Sequence, residues 1–174
     1  MNMRLLVTGA GIAVMGLAFG QVVARYQSDV SNFSAQFPGV VEESKTVTSW
    51  NAGQLTSSVY ATQYRRGFYR VAVTPLPREV IRSKSPQELL DAARDGSLTM
   101  NKMKVESEQK LLVNGAPGRR FIVTTPDAPN VVHLVVIANG RLYQASAAVP
   151  REDLARGVDF VKSFNLSAVV SAGD

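Results

Sequence analysis

Apolar and polar positions alternate along most of this chain, after an opening that does not alternate at all. Residues 5–24 contain neither acid nor base and lie between Arg4 and Arg25. At about 1.5 Å per residue, a helix of roughly 20 residues crosses the hydrocarbon of a bilayer. The same run, with small residues around Ala18-Phe19-Gly20, also fits an export signal cleaved before Gln21. Either reading carries the rest of the chain across the cytoplasmic membrane. As an anchor it makes a single-pass protein with its domain on the periplasmic side. Membrane lipid would then surround the helix, with Gly16 and Gly20 forming a small face for a neighbouring helix.

Past a polar linker at 27–32 the period of two takes over. Phe33, Ala35 and Phe37 alternate with Ser34 and Gln36, and Pro38-Gly39 ends that strand. Residues 40–49 read as a more polar extended segment, turned by Asn51-Ala52-Gly53. Residues 54–65 place Leu55, Ser57, Val59 and Ala61 on one face, and Tyr60 and Tyr64 on the other. Arg66-Gly67 turns into a strand at 68–74, stopped by Pro75-Leu76-Pro77. Ser85-Pro86-Gln87-Glu88 then gives a serine cap, a proline at the first helical position and a glutamate to close the capping box. Leu89, Leu90, Ala92 and Ala93 form the apolar face of that helix, with Gly96 as its stop.

Strands return at 104–113, 118–125 and 131–138. The last is apolar on both faces, as in a strand covered from both sides. Asn139-Gly140 predicts a tight hairpin into 141–149, and Pro150 opens a final helix over 151–164. Short turns between consecutive strands predict a mostly antiparallel sheet flanked by helices, an α+β domain. The organisation is thus an anchor or signal at 1–26, a linker at 27–32, an extracytoplasmic domain at 33–166 and a tail at 167–174.

The stretches Phe33-Ser34-Ala35-Gln36-Phe37-Pro38-Gly39, Gly115-Ala116-Pro117-Gly118-Arg119-Arg120, Gly140-Arg141-Leu142-Tyr143-Gln144 and Phe160-Val161-Lys162-Ser163-Phe164-Asn165-Leu166 are together familiar. In these the domain resembles the PsbP-like α+β sandwich family, named for an extrinsic lumenal subunit of the oxygen-evolving photosystem. The resemblance implies an antiparallel sheet between helices. It also implies a non-catalytic role, docking on a membrane complex or another partner. It does not name that partner, since fold does not fix function.

Composition narrows the chemistry. The chain has no cysteine and one histidine among 174 residues, so disulfides, thiolate metal sites, thiol nucleophiles and a lipidated cysteine are excluded. His133 sits in the most apolar strand and has no second histidine to complete a zinc site, so it reads as structural. Glu42-Glu43, Asp91 with Asp95, and Glu106 with Glu108 are the nearest acidic groupings, short of the 6–8 oxygens that calcium takes. No nucleophile, base and acid can be assembled, so no enzyme, catalytic residue, cofactor or metal is expected.

The net charge of +5 suggests an acidic partner or anionic headgroups. Basic residues gather at Arg65-Arg66, Arg70, Arg78, Arg82 and Lys84, and again at Arg119-Arg120. Nucleic acid is not expected, for no aromatic-basic interleaving suits base stacking. Trp50, Tyr60, Tyr64, Arg65, Arg66, Arg70, Arg119 and Arg120 are the candidate partner-docking residues, because aromatics and arginine favour interfaces. The expectation is an anchored accessory subunit docking on a larger membrane complex of photosynthesis or electron transport. The alternative is a cleaved, soluble periplasmic module holding a small apolar or anionic ligand.

Overall fold

The computed structural model describes residues 25–50, 53–99, 104–125 and 128–167. The proposed anchor, with Gly16 and Gly20, lies outside the described residues, apart from Arg25 and Tyr26, which begin strand β1. Among those described, no helix is long and apolar enough to cross a membrane. The elements are β1 (Arg25–Ser28), β2 (Phe33–Gln36), β3 (Glu42–Trp50), β4 (Gly53–Tyr64), β5 (Gly67–Pro75), α1 (Arg78–Ser83), α2 (Pro86–Thr99), β6 (Lys104–Val113), β7 (Ala116–Thr125), β8 (Ala128–Ala138), β9 (Arg141–Val149), a 3-10 turn (Arg151–Asp153), α3 (Leu154–Ser163) and β10 (Asn165–Leu166).

Seven strands form one antiparallel sheet in the order β3-β4-β5-β9-β8-β7-β6. Three short strands form a second, in the order β1-β2-β10. The fold is therefore the mostly antiparallel α+β arrangement that alternation predicts. Strand parity divides the large sheet into two buried faces. Val132, Leu134 and Val136 of β8 lie on one, beside Ala145, Ala147 and Tyr143 of β9 and Tyr69, Val71 and Val73 of β5. The small sheet and α3 cover this face with Phe33, Phe37, Phe160 and Phe164: Phe33 stacks on Phe164, and Phe160 lies edge-on to both Phe37 and Tyr69 of β5. Val135 points the other way and joins Phe121, Val123 and Leu90 under α2. The run at 131–138 is apolar on both sides because β8 has a helix above and below.

Local chemistry fixes the connections. Asn139 and Gly140 have φ of 50° and 69°, the pair of positive values that a two-residue hairpin requires. Ser85 N–H donates to Glu88 Oε2 (2.7 Å) and Glu88 N–H to Ser85 Oγ (3.3 Å), so the capping box closes as the sequence indicates. The Gly157 site lets α3 lie close, since a Cβ there would meet Val149 Cγ2 at 3.0 Å.

Several boundaries differ from expectation. Residues 27–32 are strand and turn: Tyr26 and Gln27 pair with Ala35 and Ser34. α1 was not foreseen. It is too short to show a period, yet Pro77 precedes it, Glu79 and Arg82 suit its ends, and Val80 is buried. α2 continues past Gly96 to Thr99, because Leu98 still packs on the cluster around Leu90 and Phe121. β7 begins at Ala116 and β8 at Ala128, ahead of the strands expected from 118 and 131.

Candidate docking surface

The eight residues singled out for docking do not share one surface. Tyr60 is 4% exposed. Its ring lies edge-on to Phe33 with centroids 4.9 Å apart, and its hydroxyl hydrogen-bonds Ser28 Oγ at 3.0 Å and Ser31 Oγ at 2.7 Å. It pins the small sheet to the large one and offers nothing to a partner. Arg119 is withdrawn as well, for it is 2% exposed. It shares the α2 face of β7 with Phe121 and Val123, whereas Arg120 points to the opposite face and bonds Gln109 Oε1 at 2.6 Å. The side chain of Trp50 lies outside the described residues.

The guanidinium of Arg119 is held between helix and sheet. Its Nη1 donates to Asp91 of α2 and lies 3.0 Å from Glu108 Oε1 of β6, while Nη2 is 3.3 Å from Gln87 Oε1. Arg94 bonds Asp95 at 2.8 Å and reaches Glu108 at 3.2 Å. Hydrogen bonding from Arg119, and then its charge and that of Arg94, holds the Asp91 carboxyl below the usual carboxylate range. These charges clamp α2 to the sheet and are matched among themselves. Glu108 is engaged here, and a bulge interrupts β6 between Val105 and Ser107, at Glu106. Among the described residues, no group of three or more acids and histidine could hold a metal ion.

Arg70 is half-buried on the α2 face of β5, where burial lowers its pKa. The register aligns Arg70, Ser146, His133 and Phe121 across four strands. His133 stacks on Phe121 at 4.7 Å. Burial, and then the charge of Arg70, pushes its pKa down to about 4. It is a neutral ring within the sheet face.

What remains exposed gathers at one end of the sheet, around the β4–β5 turn. Arg65 takes φ of 52°. Its Nε donates to the Tyr64 hydroxyl at 3.1 Å, and its guanidinium carbon sits 5.4 Å from the Tyr64 ring centroid. Arg66 is mostly exposed and pairs with Glu152 of the 3-10 turn. Phe68, 47% exposed, lies on the α2 face with Arg70, on the other side of the sheet from Tyr64. Arg156 and Asp153, 3.0 Å apart, continue the charged rim. Arg78, Arg82 and Lys84 belong to α1 and its end, beside the opposite edge of β5. The basic groups of the sequence are thus divided among two ends and two faces. Phe68 is the member that sequence reasoning missed, since its place in an apolar strand reads as core.

Compared with solved structures, the chain is similar to cyanobacterial PsbP (CyanoP) from Synechocystis sp. PCC 6803, known from a solution structure. The TM-score is 0.54 at 10% identity, over 92% of this chain and 98% of that one. A protein of unknown function from Pseudomonas aeruginosa, PA94, described as a putative regulator, gives a TM-score of 0.44 at 5% identity over 68% of this chain and 91% of that one. No family model and no curated protein matches the sequence. The chain has a PsbP-like fold.

Proposed function

We propose that this protein is a non-catalytic accessory subunit that docks through the β4–β5 end of its PsbP-like domain on a larger membrane complex. The observation that carries the proposal is the β4–β5 end itself, where Arg65 and Arg66 are exposed beside Tyr64 and Phe68 is exposed on the opposite face of the same end. It combines an exposed apolar ring with two arginines at one turn of a rigid sheet. Aromatic and arginine side chains are enriched among the anchors of protein interfaces. The apolar run at 5–24 supplies the membrane attachment, and a photosynthetic or electron-transport complex is the class of partner the fold suggests.

The test is co-purification after mild detergent solubilisation of native membranes. The wild-type chain migrates with a defined complex, and the Arg65→Glu, Arg66→Glu double variant runs free while keeping its circular dichroism. A wild-type chain found only as free protein overturns the proposal.

One observation favours the alternative of a ligand-binding module. A cleft of about 220 Å³ between β6, β7 and the end of α3 is lined by Leu111, Leu134, Val161 and Phe164, with Arg120 and Lys162 beside them. It would suit a short amphiphilic anion. Its volume falls below the roughly 300 Å³ at which ligand sites begin, and the larger cleft, about 490 Å³ beside β1 and β3, is lined by Gln27, Asp29, Glu43 and Lys45 and does not lie between sheet and helix, so this reading stands second.

A further inference from the structure

β3 and β6 are the outer strands of the large sheet, and their edges differ. β6 carries Lys104, Glu106, Glu108 and Lys110 and a bulge between Val105 and Ser107, features that discourage edge-to-edge pairing. The first half of β3 is guarded too. Glu42, Glu43 and Lys45 are charged, and the Glu43 carboxylate accepts a hydrogen bond from Tyr26 of β1.

The second half of β3 has no such guard. Residues 46–64 contain no acid, base or histidine, and the β3–β4 register is unbroken from Glu42↔Ala61 to Trp50↔Gly53. β4 pairs with β5 only from Ser58 onward. The pairs Val47↔Thr56, Thr48↔Leu55, Ser49↔Gln54 and Trp50↔Gly53 therefore form a two-stranded arm projecting past the sheet. A lone two-stranded ribbon is marginal in water. At its root Val47 is 57% exposed.

We infer that this arm pairs with the same arm of a second copy of the chain, β3 against β3, antiparallel about a two-fold axis at Val47. In that register Val47 faces its own counterpart, Thr46 faces Thr48 and Lys45 faces Ser49. No like charges meet. The contact is isologous, so it closes at two copies. The competing register, about Ser44, sets Glu43 against Lys45. Tyr26 already holds Glu43 there, and β1 stands alongside.

The chain has no native cysteine, so a single Val47→Cys reports alone. Opposed residues in an antiparallel pair have Cα atoms about 4.5–5.5 Å apart, inside the roughly 4.4–6.8 Å that a disulfide spans. The experiment uses the full chain in a mild non-ionic detergent, with mass read by light scattering. The wild type is expected as a dimer. Mild oxidation is expected to couple Val47→Cys into a disulfide dimer and to leave Leu112→Cys, exposed on β6, uncoupled. Val47→Glu and Val47→Lys are each expected as monomers, and their equimolar mixture as a dimer, which also shows that both variants fold. A monomeric wild type overturns the inference. So does a dimer whose mass Val47→Glu leaves unchanged, or coupling at Leu112 without coupling at Val47. A wild type that gains mass only with a different protein also overturns it and assigns the edge to that protein. The docking proposal uses the other end of β4 and stands or falls separately.

Discussion

Arg119 Nη1 lies 3.0 Å from Glu108 Oε1 on the neighbouring strand, and the same nitrogen donates to Asp91 on α2. The cation is buried and its partners are partly exposed, so losing one side differs from losing the other. Asp91→Asn with Glu108→Gln leaves a buried guanidinium without a counter-charge, at a cost of about 3 kcal/mol or more. Arg119→Met leaves two carboxylates that water can reach and fills the same space, at a cost of about 1 kcal/mol. Urea unfolding of the three chains checks the order. Equal losses would show that Arg119 serves packing alone.

His133 makes the fold acid-sensitive in a defined window. The folded chain keeps the ring neutral down to a pKa of about 4, against 6.5 for the unconstrained side chain. Between those values the unfolded chain binds a proton that the folded chain refuses, so stability falls as pH drops through the window and levels off below it. The full difference is at most about 3 kcal/mol. Substituting phenylalanine, which can keep the stack on Phe121, should flatten the stability–pH curve between pH 6.5 and 4. Asp91 and Glu88, whose carboxyls are held below the usual range, lose their contributions at still lower pH.

The same substitution should have opposite signs at two helical glycines. A Cβ at Gly96 meets nothing within 4 Å, so Gly96→Ala should add up to about 1 kcal/mol through helix propensity. At Gly157 it meets Val149 Cγ2 at 3.0 Å and Val132 Cγ2 at 3.2 Å. Gly157→Ala should therefore lift α3 and cost about 1–3 kcal/mol, less the propensity gain. Thermal melts of the two variants on either side of the wild type would bear this out.

Ser85→Ala removes the acceptor of the Glu88 N–H and one donor to its carboxylate. It should cost about 1 kcal/mol, seen as a lower urea midpoint. Exchange at the amides of the first turn of α2 should quicken before exchange in the sheet.

The parts of this fold that a sequence shows are those governed by neighbours. The Asn139-Gly140 turn, the Ser85–Glu88 box and the two-sided β8 all follow from residues within a few positions of one another. What escaped depends on distant partners. β10 consists of two residues and exists only because Ser34 and Phe33 accept it. Arg119 and Arg120 look alike as a dipeptide, but strand parity sends them to opposite faces. Parity also separates Tyr60 from Val59, yet with layers on both sides it cannot say which face a partner would see. The acidic residue of α2 that explains Arg119 stands 28 positions away.

β2 lies between β1 and β10, the first and last strands described. Gln36 N–H donates to Ser163 Oγ at 2.9 Å across 127 residues, and Phe33 stacks on Phe164. A ribosome delivers β1 and β2 first and their covering residues last. The long hairpins of the large sheet can close as they emerge, whereas the phenylalanines of β2 wait for the end of α3. During that wait Phe33 and Phe37 are open to any apolar surface within reach. A chain that arrives N-terminus first thus leaves the phenylalanines of β2 uncovered until residues 160–166 follow.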